Sequence, residues 1–297
     1  MNHQLKELDQ LLNKKNLSRE VKKRLRVDLN AISLRLIKNE YETSGIVENI
    51  FDVPETFKRM YKHIDTYARI AKTWSFILST LPINDKTNLL DICPGYAPKI
   101  ELALFYLGYR GTVTILDEDY TSMKQLIKFM NLFNPQFKIR TLKRNFFSPT
   151  KEKFPVVIGN HIIDDLILYY FAKKADFNIN KFYENEQELT DFWKRIILDK
   201  DENQKEITQK ISDILSTIIA AEGYLCLSHY KSYMDKMLDL EKEYLFSKYV
   251  LENTINNLLN SGFCLKEFQM KRSADTYFKS DSVYILKKQK RFHLGVE

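Results

Sequence analysis

From residue 88 onward, short apolar runs alternate with longer stretches in which apolar residues recur every three or four positions. The first pattern is that of a strand covered on both faces, the second that of an amphipathic helix. The pattern predicts strands at 88–93 and 112–116, with a helix at 99–107 between them. Gly108 and Gly111 bracket the entry to the second strand. Strand, turn, helix and strand in about thirty residues is the size of one βαβ unit, whose parallel strands need a crossover helix.

The alternation continues. A helix is predicted at 120–133, stopped by Asn134 and Pro135, then strands at 138–142 and 155–159 and a helix starting at Asp164. After an interruption come a helix at 207–221, a strand at 223–227, a helix at 234–259, and strands at 263–268 and 282–286. Only residues 271–281 separate the last two strands, too few for a crossover helix, so that pair is expected to be antiparallel. The predicted fold class is α/β: a Rossmann-like, mostly parallel sheet with a final antiparallel strand pair, preceded by an N-terminal helical cap.

The cap is expected over residues 1–82. Leu5, Leu8, Leu11 and Leu12 make one stripe, and Val21, Leu25, Leu29, Ile32 and Leu36 a second. Pro54 suits the first turn of a third helix. That helix carries Phe57, Met60, Tyr61, Ile64, Tyr67, Ala68, Ala71, Trp74 and Leu78, and Pro82 ends it. Without a Gly/Ser-rich linker the cap should be docked on the domain at 83–297. Residues 173–205 interrupt the strand–helix rhythm with many charges and with Phe177, Phe182, Tyr183, Phe192 and Trp193. This insertion reads as a lid or as a surface helix with its own apolar seam.

Composition narrows the setting. The 297 residues are 44% hydrophobic, enough for a substantial core and too apolar for a disordered chain. No apolar run is long enough to span a bilayer, and the charged N-terminus lacks a signal-peptide core, so a cytoplasmic protein without a membrane partner is expected. Cys93, Cys226 and Cys264 show no metal or disulfide spacing. The net charge is +7, with the densest basic cluster at Lys14, Lys15, Arg19, Lys22, Lys23, Arg24 and Arg26. Such a cluster is either a solvated helix face or a surface for nucleic-acid phosphates.

In an open α/β sheet, ligands sit beyond the carboxyl ends of the strands. The stretch LLDICPGYA puts Asp91, Cys93, Pro94, Gly95 and Tyr96 there, and TILDED adds Asp117 and Glu118. Asn160, His161, His229 and Tyr230 fall at later strand ends, with Asp164 and Asp165 following His161. One of these two aspartates is expected to cap the next helix and the other to orient His161 or bind an amine. The histidines are the candidates for proton removal near neutral pH.

With these signals in order, residues 88–288 resemble the class I S-adenosylmethionine-dependent methyltransferases. The resemblance implies that the turn through Asp91, Cys93, Pro94, Gly95 and Tyr96 approaches S-adenosyl-L-methionine, leaving S-adenosyl-L-homocysteine as product. It implies that Asp117, with Glu118 beside it, holds the ribose hydroxyls. Asn145 and Phe146 would lie near the adenine, and Asn160 and His161 beside the methyl group. The family usually has glycines at the positions of Cys93, Gly95 and Ala97, of which only Gly95 is one here. Cysteine and alanine suit those places if their backbone angles are ordinary. The expected activity is methyl transfer to a small-molecule or peptide acceptor, with His161, His229 and Asp164 as catalytic candidates and no metal. Two alternatives are transfer of the aminocarboxypropyl arm, as in nicotianamine-synthase-like enzymes, and a non-catalytic RNA-binding module on the same fold.

Overall fold

A computed structural model describes residues 64–131, 133, 135–148, 150–179, 186–232, 235–236, 238–269 and 277–290. Most of the predicted helical cap, the basic cluster around Lys22, and Tyr61, Phe182 and Tyr183 lie outside these residues. The described chain forms two compact units, divided between Arg144 and Asn145, with Phe268–Ser280 belonging to the first.

The first unit opens with α1 (Ile64–Leu78) and continues through β1 (Asn88–Ile92), α2 (Lys99–Leu107), β2 (Thr112–Asp117), α3 (Tyr120–Asn131) and β3 (Lys138–Lys143). Its strands lie in the order β3-β2-β1, all parallel, with Leu90 opposite Thr114 and Thr114 opposite Arg140. β1 and β2 are buried over most of their length because Leu89, Leu90, Val113 and Ile115 fill both faces. β3, KIRTLK, alternates exposed and half-buried positions, and its lysines suit a sheet margin. α2 ends at Gly108, whose φ of 70° supplies the left-handed cap that a side chain would resist. α1 packs on α2. Its Trp74 is fully buried, edge-on to Phe278 at 6.1 Å, and the Tyr277 amide donates to Thr73 Oγ1 at 2.9 Å. These contacts bring the 277–280 segment back to the first unit.

The second unit holds β4 (Phe154–Asn160), α4 (Ile163–Lys174), α5 (Glu186–Leu198), α6 (Lys200–Ile218), β5 (Ile219–Ser228), α7 (Glu241–Asn260), β6 (Phe263–Leu265) and β7 (Val283–Lys288). The order is β4-β5-β7-β6. β4 and β5 are parallel, while β7 is antiparallel to both β5 and β6. The expected antiparallel last pair is thus present. α7 buries Phe246, Val250, Leu251, Ile255 and Leu258 at helical spacing and packs on α4 and α6. Within 173–205, Phe192 and Trp193 are buried on α5, and Trp193 meets Phe246 of α7 edge-on at 6.1 Å.

Seven strands, parallel except at the end formed by β6 and β7, make this a Rossmann-like α/β fold. The main departure from the expected elements is at β5. The helix expected to reach residue 221 stops at Ile218, and β5 begins at Ile219 opposite Phe154. The register then shifts before Tyr224 pairs with Val156, and Glu222 sits at φ 61°. From Phe154 to Val156 β4 advances two residues while β5 advances five, so this irregularity, with one left-handed residue, absorbs three extra residues. Pairing with β4 therefore outweighs the helix preference of Ala220 and Ala221.

Candidate functional site

The two units each carry one group of the predicted residues. In the first, the turn after β1 runs through Cys93, Pro94, Gly95 and Tyr96, all half-buried. The Cys93 amide donates to Leu116 O at 2.7 Å, which ties the turn to β2. Cys93 has φ 50° and Gly95 φ 60°. The ordinary backbone angles expected at Cys93 are therefore absent: it occupies a left-handed conformation that costs a residue with a Cβ about 1–2 kcal/mol. No heavy atom lies within 4 Å of where a Cβ on Gly95 would stand, so the turn borders open space there.

Asp117, the last residue of β2, closes this turn. Its Oδ2 accepts from the Gly95 amide at 3.0 Å and its Oδ1 from the Asp119 amide at 2.9 Å. Burial raises its pKa, with the two amides opposing that rise. A carboxylate offers about four acceptor positions, so about two remain for hydroxyls. Asp119, not Asp117, holds the start of α3: its Oδ1 accepts from the Thr121 and Ser122 amides. Glu118 is exposed.

Asp91 lies beneath the turn and is 1% exposed, and Glu101 on α2 is fully buried. Burial is the largest cause holding Asp91 well above the usual carboxylate range, and the charge of Glu101 adds to it. Burial pushes Glu101 up to about 7, opposed by its hydrogen bonds and by Lys99. Two buried carboxyls that act on each other in this way resist carrying two charges at once.

In the second unit, Asn145 turns the chain with its Oδ1 accepting from the Phe147 amide at 2.7 Å. Phe146 is buried edge-on to Phe147 at 5.1 Å. Asn160 ends β4 and bonds to the hydroxyls of Ser228 (3.2 Å) and Tyr230 (3.3 Å). His161 follows at φ 55°, its amide donating to Ser228 O at 2.8 Å. Four rings then stack in a column: Tyr230 on His161 (4.7 Å), His161 on His229 (5.1 Å), and His229 on Tyr244 (5.1 Å). His161 Nε2 is 3.4 Å from Asp164 Oδ2 and 3.9 Å from Asp235 Oδ2. Asp235 is itself fixed by the Ser232 amide, which donates to it at 2.6 Å. Burial, and then the charge of His161, push His229 down to about 3, so it stays neutral at ordinary pH.

No family model matches the chain, and no curated protein matches it in sequence. Among solved structures it is similar to the magnesium protoporphyrin IX methyltransferase of Synechocystis with bound S-adenosylhomocysteine, at 11% identity and TM-score 0.45, covering 86% of this chain and 99% of that one. It is also similar to a SAM-dependent O-methyltransferase of Thermotoga maritima, at 10% identity and TM-score 0.43, covering 81% and 73%. A glycopeptide N-methyltransferase matches at 8% identity and TM-score 0.41, covering 74% and 94%. The reading of the fold rests on the strand order and pairing above.

Of the predicted residues, the structure joins Gly95 to Asp117 directly, and His161 to His229 and Asp164. It contradicts the expected aspartate cap on the helix after His161: α4 starts at Ile162 with no side-chain cap bond, and Asp164 and Asp165 both sit in its first turn. Asp164 faces His161 instead, while negative charge in that turn still favours the helix dipole. Glu101, Asp235 and Tyr244 were not expected. Only Glu101 carries a signal in the sequence, as an acid between Ile100 and Leu102 in the apolar helix KIELALFYL.

Proposed function

We propose that this chain transfers a methyl group from S-adenosyl-L-methionine to a small-molecule or peptide acceptor. The observation that supports this most is the closed turn at the ends of β1 and β2. Gly95 is pinned to Asp117, the turn borders open space at Gly95, and the Asp117 carboxylate keeps acceptor positions for vicinal hydroxyls. Asp117 and the Cys93–Tyr96 turn would hold the cofactor, which supplies the activated methyl group when bound.

The residues of this chain then have three tasks: to bind, to orient, and to take a proton where the acceptor carries one. His161, with the Asp164 carboxylate at 3.4 Å, is the group we assign to proton removal. His229, buried and neutral, stacks on it and fixes its plane.

The test is incubation of the full chain with methyl-labelled cofactor and fractionated metabolites and peptides, with the released nucleoside identified. Label in an acceptor together with adenosylhomocysteine supports the reading. Methylthioadenosine would instead mean transfer of the aminocarboxypropyl arm, and neither product in any fraction would overturn both.

A further inference from the structure

His161, Asp164 and His229 each present one ligand atom, and these atoms all lie within 4.8 Å of one another. We infer that this cluster is a binding site for one divalent first-row metal ion that accepts nitrogen and oxygen ligands, zinc being the natural probe. Two imidazoles and a carboxylate form a donor set of the kind that holds catalytic zinc or non-haem iron with open positions. Ligand atoms about 2.1 Å from a tetrahedral ion stand about 3.4 Å apart, so small side-chain rotations would draw these three into range.

A second observation points the same way. His229 is only 4% exposed, yet neither of its ring nitrogens has a partner in hydrogen-bonding geometry. The Tyr244 backbone is near enough to favour protonation slightly, but it does not satisfy the ring. A buried polar group left so destabilises the fold unless something else meets it. A cation among the three residues would meet it.

The surroundings fit an ion as well. Asp235 stands 3.9 Å from His161 Nε2 as a further carboxylate that can bind or orient. The rings of Tyr230 and Tyr244 close the column on either side of the two histidines. His161 stands two residues before α4 and Asp164 in its first turn, so the two are close in the chain as well as in space. The site stands whether or not the chain transfers methyl groups, since metal binding is read directly; with the ion bound, His161 is a ligand and no longer the proton acceptor.

The experiment uses the full chain, purified with chelator and then titrated with cobalt(II) and with zinc. One cobalt per chain with visible d–d absorption, displaced by one zinc, is expected. Asp164→Asn and His229→Asn should each weaken zinc binding at least about tenfold. Asp164 is partly exposed, so its variant should keep the circular dichroism of the parent and decides the matter if the His229 variant fails to fold. Absence of d–d bands in the parent chain, or undiminished affinity in the Asp164 variant, would overturn the site. The second outcome would assign the metal to other histidines, such as His3, His63 or His293.

Discussion

The Gly95 amide donates to Asp117 Oδ2 at 3.0 Å, joining the ends of two strands across 22 residues of sequence. This one bond shapes the turn after β1 and orients the carboxylate that the proposed function assigns to the ribose. Asp117→Ala removes both the turn's anchor and the acceptor. Adenosylhomocysteine binding, followed by calorimetry, should weaken by about 1–3 kcal/mol, the scale for hydrogen bonds to a charged group. Asp117→Asn keeps one acceptor oxygen and should lose less. Equal affinity in all three proteins would move the cofactor away from this turn.

Cys93 is a different case, because its strain is local. At φ 50° it holds a conformation that glycine adopts freely. Cys93→Gly relieves about 1–2 kcal/mol of left-handed cost and adds back about 0.5–1 kcal/mol of unfolded-chain entropy. The net change should be a small stabilisation. Cys93→Val puts a β-branched residue in the same place and should destabilise. Urea melts that showed glycine less stable than cysteine would mean the Cys93 side chain makes a contact worth more than the strain.

Cys93 and His161, both left-handed, illustrate what the sequence hides. The strands themselves were legible, because runs such as Leu89-Leu90 and Val156-Val157-Ile158 have only one sensible environment. The sequence also puts acids and histidines where those runs end. The backbone angles at Cys93 and His161 were not legible, because neither residue type announces them. Nor was the buried Glu101, whose burial depends on what packs over α2. Tyr244 and Asp235 lie in a stretch expected to be one helix from 234, whereas α7 starts only at Glu241. Their approach to the histidines is a matter of tertiary packing.

Trp74 tests the packing of the first unit. It is fully buried on α1 and meets Phe278 edge-on. Trp74→Ala should cost about 3–5 kcal/mol, as large-to-small changes in cores do when the surroundings cannot collapse. Chemical unfolding would show this as a lower midpoint with little change in slope. A cost under about 1 kcal/mol would mean the site relaxes freely, against the burial seen around it.

Glu101 predicts how stability depends on pH. Its carboxyl titrates near 7 in the fold against 4.5 for the unfolded chain, chiefly because it is buried. The folded state therefore binds the proton more tightly, and stability from this group is complete below about 4.5. It is lost as pH rises through about 7, where the fold must hold a buried charge beside Asp91. The loss is on the order of 3 kcal/mol. Glu101→Gln keeps the shape and removes the charge. Thermal melts at pH 5 and pH 8 should show the parent losing stability between them and the variant losing clearly less. If both proteins changed equally, Glu101 would not be the group whose ionisation the fold resists.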